Sequence, residues 1–224
     1  SLVNTINDFK QSFTEYFGLK IINENLILEN TLLKNNSINI AENDSIFKEG
    51  DYSYIPAKII SNSIKFSKNF ITINKGINQK INVEDGVISK IGVIGIINNN
   101  SEKFSTLISI LNTDLKINAK VKSTNHFGSL SWDANNFQIM NLDDIPKSAL
   151  IKYGDTIQTG GMSSIFPENI PIGTIIEHSL PDASNYYEIK VKLFEDIGSV
   201  NNVYVVKNKF KKEIKDLEKS NEKY

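Results

Sequence analysis

Few residues in this 224-residue chain have side chains suited to making or breaking bonds. His126 and His178 are the two imidazoles, and there is no cysteine. That excludes disulfides, thiolate catalysis and Cys-based zinc sites. A serine hydrolase would need one of these histidines beside a Ser nucleophile, with a carboxylate to orient the ring. His126 stands in Thr124-Asn125-His126-Phe127-Gly128, the composition of a hairpin tip, and His178 follows the strand-like Gly173-Thr174-Ile175-Ile176. Neither accompanies a Gly-x-Ser-x-Gly elbow. Gly160-Gly161-Met162-Ser163-Ser164 comes nearest to an oxyanion-hole turn, a glycine pair before Ser and no more. Asp143-Asp144 forms no Asp-x-Asp-x-Asp-Gly calcium loop, and no His-Glu-x-x-His motif is present. Gly92-x-x-Gly95 sits in apolar strand context rather than on a strand-to-helix turn, so it is no phosphate cradle. The reading is a protein without enzymatic activity, cofactor or metal.

Charge narrows the classes further. The 25 basic residues, all lysine, balance 26 acidic ones, for a formal charge of −1. A nucleic-acid binder is expected to carry a basic excess and arginine forks, so nucleic acid is excluded as a partner. No apolar run approaches the ~20 residues that cross a bilayer, and no secretory leader is legible. With 40% hydrophobic and 23% charged residues, the chain reads as globular.

If side-chain chemistry is scarce, the elements that set shape matter more. Residues 1–45 contain no Pro and one Gly, and their apolar positions fall at helical intervals. Leu19, Ile22, Leu26, Leu33 and Ile40 fit alternating steps of three and four, with Glu29 and Asn36 in the remaining seam positions. A second register runs through Ile21, Leu28 and Leu32. A dimeric coiled coil, with Leu19, Ile22, Leu26 and Leu33 as its seam, fits this narrow stripe; a single amphipathic helix packed on its own domain fits the same spacing.

From Tyr54 to about Lys207 the pattern becomes β. Leu115, Ile117, Ala119 and Val121 alternate with Lys116, Asn118, Lys120 and Lys122, and Tyr187, Ile189, Val191 and Leu193 alternate with Glu188, Lys190 and Lys192. Short Asn/Asp/Gly connectors such as Asn74-Lys75-Gly76 and Glu84-Asp85-Gly86 separate the runs. Ten to twelve strands over about 150 residues exceed one small barrel, so two antiparallel β-barrels are expected. Lys209 to Tyr224, rich in Lys and Glu with Phe210, Ile214 and Leu217 on one helical face, reads as a polar, solvated tail.

The most informative stretch runs Gly154-Asp155-Thr156-Ile157-Gln158-Thr159-Gly160-Gly161, then Phe166-Pro167-Glu168-Asn169-Ile170-Pro171-Ile172-Gly173. None of these residues is catalytic in character; they are shape-makers. The stretch resembles the Gly-Asp-x-Val-x-Thr-Ser-Gly…Phe-Pro-x-Gly-Ile-x-Ile-Gly pattern of the rod shape-determining MreC family. Further matches follow in that family's order: Tyr54-x-x-Ala57-x-Ile59-Ile60, Phe70-Ile71-Thr72-Ile73-Asn74-Lys75-Gly76, Gly86-Val87-Ile88 with Gly92-Val93-Ile94-Gly95, and Gly128-Ser129-Leu130-Ser131-Trp132. The sequence departs at three points. Gly160 takes the family's Ser position, Asn169 replaces the Gly of Pro-x-Gly-Ile, and Ala134 stands where a Gly is frequent after Trp-Asp. Asn is the usual substitute where a left-handed backbone is needed.

The resemblance implies a mainly β protein: a coiled-coil helix over 1–45, a first β-barrel from 46–84 plus 185–208, a second from 85–184, and the 209–224 tail. It implies Gly76, Gly92, Gly95, Gly154, Asp155, Thr159, Gly160, Phe166, Pro167, Asn169 and Gly173 as structural motif positions. It also implies location on the periplasmic side of the inner membrane, through an N-terminal membrane helix that this sequence lacks. The implied role is a scaffold of the cell-wall elongation complex, with itself, a penicillin-binding transpeptidase, RodA, MreD and MreB as partners. Tyr52, Tyr54, Phe66, Phe70, Phe166, Tyr186 and Tyr187 are the candidate interface anchors. A periplasmic adaptor of an efflux or secretion pump also joins coiled coil to barrels, but needs a two-helix hairpin between halves of a lipoyl-type domain. Here one helical arm precedes the β region.

Overall fold

The computed structural model describes residues 26–34 and 51–221. A helix, α1, covers 26–34. Twelve strands follow: β1 (Tyr52–Asn62), β2 (Lys68–Ile73), β3 (Gly86–Ile88), β4 (Val93–Asn100), β5 (Ser105–Asn112), β6 (Lys116–Val121), β7 (Phe127–Ser131), β8 (Ile139–Asp143), β9 (Thr156–Thr159), β10 (Pro171–Ser179), β11 (Glu188–Leu193) and β12 (Asn202–Asn208). A C-terminal helix, α2, spans Lys211–Asn221.

The strands close into two antiparallel barrels, ordered β1-β12-β3-β4-β5-β2 and β10-β11-β8-β7-β6-β9. Closure leaves neither sheet a free lateral edge, which protects short polar-rimmed strands from pairing with other chains. Register shifts, such as those at Ile59/Ser61 in β1 and Ile175/Glu177 in β10, add the local bend that so few strands need to close. The expected alternations hold: Ile117, Ala119 and Val121 of β6 and Ile189, Val191 and Leu193 of β11 point into the second barrel's core.

The partition differs from the expected one. β3, β4 and β5, which the resemblance implied for the 85–184 barrel, belong to the first barrel, and β11, implied for the first, belongs to the second. The first barrel is still discontinuous, because β12 pairs with both β1 and β3. Which strands pair is a non-local choice between segments of nearly the same texture, and alternation alone does not encode it.

The tail is corrected only in part. Residues 211–221 are helical, with no residue buried: the start of the helix is tied to the first barrel by ion pairs, and the remainder is exposed, as expected of a solvated tail. Asn208 Oδ1 accepts from Phe210 N at 2.9 Å, starting the turn. Lys207 Nζ and Lys211 Nζ then donate to the two oxygens of buried Asp85, at 2.7 and 3.3 Å, and Lys215 pairs with Glu84. A lysine-rich segment thus helps anchor itself to the β2–β3 connection through charge, not through a wide apolar face.

In α1, Ile27 packs against the barrel core, Thr31 is buried, and Lys34 Nζ lies 5.5 Å from the Tyr54 ring and 5.7 Å from the Tyr204 ring. Its leucines, Leu26, Leu28, Leu32 and Leu33, are all exposed. Among the described residues, neither predicted seam is therefore covered by the helix's own barrel; Leu19, Ile21, Ile22 and Ile40 lie outside them.

Candidate functional site

The glycine- and proline-rich stretch between β9 and β10 forms the junction between the two barrels. Within the second barrel it is tied down by polar contacts. Thr159 Oγ1 donates to Pro167 O at 2.6 Å and accepts from Ile170 N at 2.9 Å. Gln158 Nε2 donates to Asn169 Oδ1 at 2.6 Å, and the buried Lys120 ammonium pairs with Glu168. Lys120 occupies a position that alternation assigns to the wet face of β6; the Glu168 carboxylate covers it instead.

From this base Ser164, Ile165 and Phe166 reach the first barrel. The Phe166 ring, 4% exposed, lies over Gly86 at the start of β3. A Cβ on Gly86 would stand 2.6 Å from the ring and 3.0 Å from Ile165 O, so close approach makes glycine necessary there. Tyr52 Oη donates to Phe166 O at 3.3 Å, and Asn208 Nδ2 donates to Ser164 O at 3.1 Å. Burial, with smaller contributions from Tyr54 and Asp51, raises the Tyr52 phenol far above its usual range, so it stays a protonated donor. One aromatic ring and two hydrogen bonds to main-chain carbonyls therefore join β1, β3 and β12 to the second barrel.

Asn169 has φ +69°, the left-handed region, as does Gly161 at +77°. The Asn that replaces the family's Gly thus adopts the backbone the pattern calls for, and Ala134, the other replaced Gly, adopts φ +65°. Asn169→Ala is expected to cost about 1–2 kcal/mol, from left-handed strain plus the lost Gln158 hydrogen bond. Asn169→Gly, which relieves the strain, costs less; urea denaturation of the two variants compares them.

Gly154, Asp155, Thr159, Gly160, Phe166, Pro167, Asn169 and Gly173 fall on this stretch and the strands framing it. Asp155 Oδ2 accepts from Lys152 N at 2.9 Å, and its carbonyl accepts from Ile175 N. Gly92 faces the second barrel, near Glu195 and Pro171, whereas Gly95 in β4 and Gly76 after β2 serve the first barrel alone, packed against Ile108 and Ser101. Of the candidate anchors, Tyr52, Tyr54 and Phe166 are buried, Tyr187 is half-buried, and Phe66, Phe70 and Tyr186 are exposed. Sequence reasoning missed Gly86, Asn208, Lys120 and Glu168 as junction residues, since no local pattern distinguishes them from turn or surface positions.

The histidines stand apart from the junction. His126 Nδ1 is buried without a hydrogen-bond partner, so no carboxylate orients the ring. His178 packs edge-on against Tyr187, with centroids 5.9 Å apart. Ser163 Oγ accepts from Ile165 N, an ordinary turn contact. Among the described residues no three His, Asp or Glu side chains could together hold a metal ion, and no helix is long and apolar enough to cross a membrane.

Known proteins share both the sequence pattern and this architecture. The family model described as "Rod shape-determining protein MreC, barrel core" matches residues 59–207, well over half of the chain. The cell shape-determining protein MreC of Listeria monocytogenes is 27% identical over 215 residues, covering 92% of this chain and 72% of that protein. A solved structure of MreC from the same species superposes with a TM-score of 0.66 at 23% identity, covering 90% of this chain and 94% of the other. A solved complex between Penicillin-Binding Protein (PBP2) and MreC from Helicobacter pylori gives a TM-score of 0.57 at 20% identity, covering 70% of this chain and 99% of the matched chain.

Proposed function

The chain belongs to the rod shape-determining MreC family, and from that premise we propose that it is a non-enzymatic scaffold of cell-wall elongation. It works by position. The junction carries this reading: the side chains of the family-like stretch are used to fix one barrel on the other, as a scaffold presenting surfaces at a set distance requires. Fixed geometry lowers the ordering cost of binding, because the partner meets a preformed surface.

The protein acts on the periplasmic side of the inner membrane, held there by an N-terminal membrane helix. Two copies associate through the exposed leucines of α1, Leu26 and Leu33, continued by Leu19 and Ile22. The barrels engage the penicillin-binding transpeptidase, and through it and the membrane partners RodA and MreD the assembly communicates with MreB. Support comes from the complex with PBP2 formed by the Helicobacter relative and from the four outward-facing leucines of α1.

Size-exclusion chromatography with light scattering, alongside a pull-down with the transpeptidase ectodomain of the same organism, tests the reading. The expected results are a dimer that Leu26→Asp/Leu33→Asp converts to monomer, and specific retention of the ectodomain. A protein that ignores the ectodomain, or turns over a peptidoglycan fragment, removes the proposal.

A further inference from the structure

On the outer wall of the second barrel, Ile139 of β8 and Ile176 of β10 floor a hollow of about 170 Å³. A register shift in β10 makes it. Ile175 stands across from Val191 and Glu177 across from Lys190, which leaves Ile176 as an extra residue with no partner. In a regular strand Ile176 and Glu177 would face opposite sides; the bulge turns both toward the same hollow. The turn after β7 supplies the rest of the rim, through Asp133, Asn135 and Asn136. That turn is held in shape by its own bonds. Trp132 Nε1 donates to Asn136 O at 2.8 Å, and Asp133 Oδ1 accepts from Asn135 N at 3.0 Å.

Some polar groups of the hollow are engaged and others are free. Lys190 Nζ turns away from Glu177, the residue across from it, and donates to Asn141 Oδ1 at 2.7 Å and Asp133 Oδ2 at 3.3 Å. Its charge is matched there, and its aliphatic stem lines the wall. Glu177 is left exposed, with no hydrogen-bond or ion-pair partner among the described residues. Asn136 Oδ1 accepts from Gln138 N at 2.9 Å, which fixes the amide and leaves its Nδ2 as a free donor. The hollow therefore presents one free carboxylate and one free amide donor above two isoleucines. Its strands belong to a closed barrel, so these groups are in place before any ligand arrives.

We infer that this hollow binds one pyranose ring of an uncharged saccharide. A sugar ring has an apolar C–H face, which suits Ile139 and Ile176, and a polar edge. Two neighbouring hydroxyls can donate to the two oxygens of Glu177, while an acetamido carbonyl accepts from Asn136 Nδ2. Other ligand classes meet an obstacle. The free carboxylate repels anions, and a wholly apolar ligand would strip water from Glu177 without replacing its hydrogen bonds. A metal ion would need three ligating side chains, which no group of described residues supplies. The size fits a single ring, since sites for drug-sized ligands begin near ~300 Å³. The exposed rim leaves room for neighbouring sugars to run outward. The inference goes beyond the scaffold role and stands on the chemistry of the hollow; where that role holds, the sugar belongs to a cell-wall glycan.

The test titrates the chain, labelled at its isoleucine methyls, with the β-1,4-linked tetramer of N-acetylglucosamine and follows the methyl resonances by NMR. The expected result is a saturable shift confined to Ile139, Ile176 and their neighbours, with a dissociation constant in the millimolar range. Glu177→Gln and Asn136→Asp should each weaken binding roughly fivefold. Both replacements keep the local shape, and Asn136→Asp retains the acceptor for Gln138 N, so the methyl spectrum verifies folding in the same experiment. The control Glu188→Gln removes an exposed carboxylate of β11 outside the hollow and should change binding less than about twofold. No saturable shift with the tetramer overturns the inference, as does full binding by both folded variants. A shift with lysine ethyl ester but none with the tetramer assigns the hollow to an ammonium ligand and overturns it too. None of these measurements involves the dimer or the transpeptidase, so each failure leaves the scaffold reading standing.

Discussion

Truncating Phe166 to alanine is expected to cost about 3–5 kcal/mol and to uncouple the two barrels. The ring is almost fully buried between Gly86 and the β9–β10 stretch, and its removal leaves a cavity where the two barrels meet, walled by the strands of closed barrels that cannot collapse far to fill it. The matching change, Gly86→Val, attacks the contact from the other side. Its Cβ would lie 2.6 Å from the ring, so Phe166 must leave its site, and the loss should be of similar size. A single probe would miss the uncoupling. Trp132, the one tryptophan, is buried in the second barrel with its Nε1 donating to Asn136 O, so its fluorescence reports that barrel alone. Amide exchange at Val205, buried in β12, reports the first. In the wild type both should report one transition under urea; in either variant the transitions should separate. Coincident, unshifted curves in both variants would show that the junction carries no mechanical role.

Asp85→Ala is expected to cost about 3–5 kcal/mol and to release α2. The carboxylate is buried and accepts from Asn82 N at 2.8 Å, from Lys207 Nζ and from Lys211 Nζ. Without it two partly buried ammonium groups face each other with no counter-charge. Burial lowers the Lys211 pKa below the ordinary lysine value, while Asp85 opposes that shift and Lys207 adds to it. Removing Asp85 therefore lowers it further. A lysine whose folded pKa lies below its unfolded one binds fewer protons when folded, so stability rises with pH between those two values. The deficit of Asp85→Ala should accordingly be full at neutral pH and shrink as pH rises toward the ordinary lysine range. Urea unfolding at pH 7 and pH 10, with amide exchange across 211–221, measures both effects. Wild-type protection of α2 in the variant would refute the charge-docked account of the helix.

Much of the fold is legible in the amino-acid sequence. Alternation marks β6 and β11 and the inward face of each, because a strand half in water must separate its residues at period two. Asn169 is legible as a left-handed position, because few residues besides Gly accept that backbone. The two histidines, without cysteine or glycine-framed serine, are legible as poor material for catalysis. Helical spacing near the N-terminus marks the leucines of α1 as a narrow stripe, and the fold leaves them exposed.

Only the tertiary structure decided the rest. It assigned β3–β5 to the first barrel and β11 to the second, sank Lys120 beside Glu168, docked α2 on Asp85, and laid Phe166 across onto Gly86. Local composition records which side of a strand is wet and where the backbone must bend. Partnership among similar strands, and burial of a charge that finds its counter-charge 48 residues away, depend on the free energy of the whole arrangement, to which no short window of sequence has access.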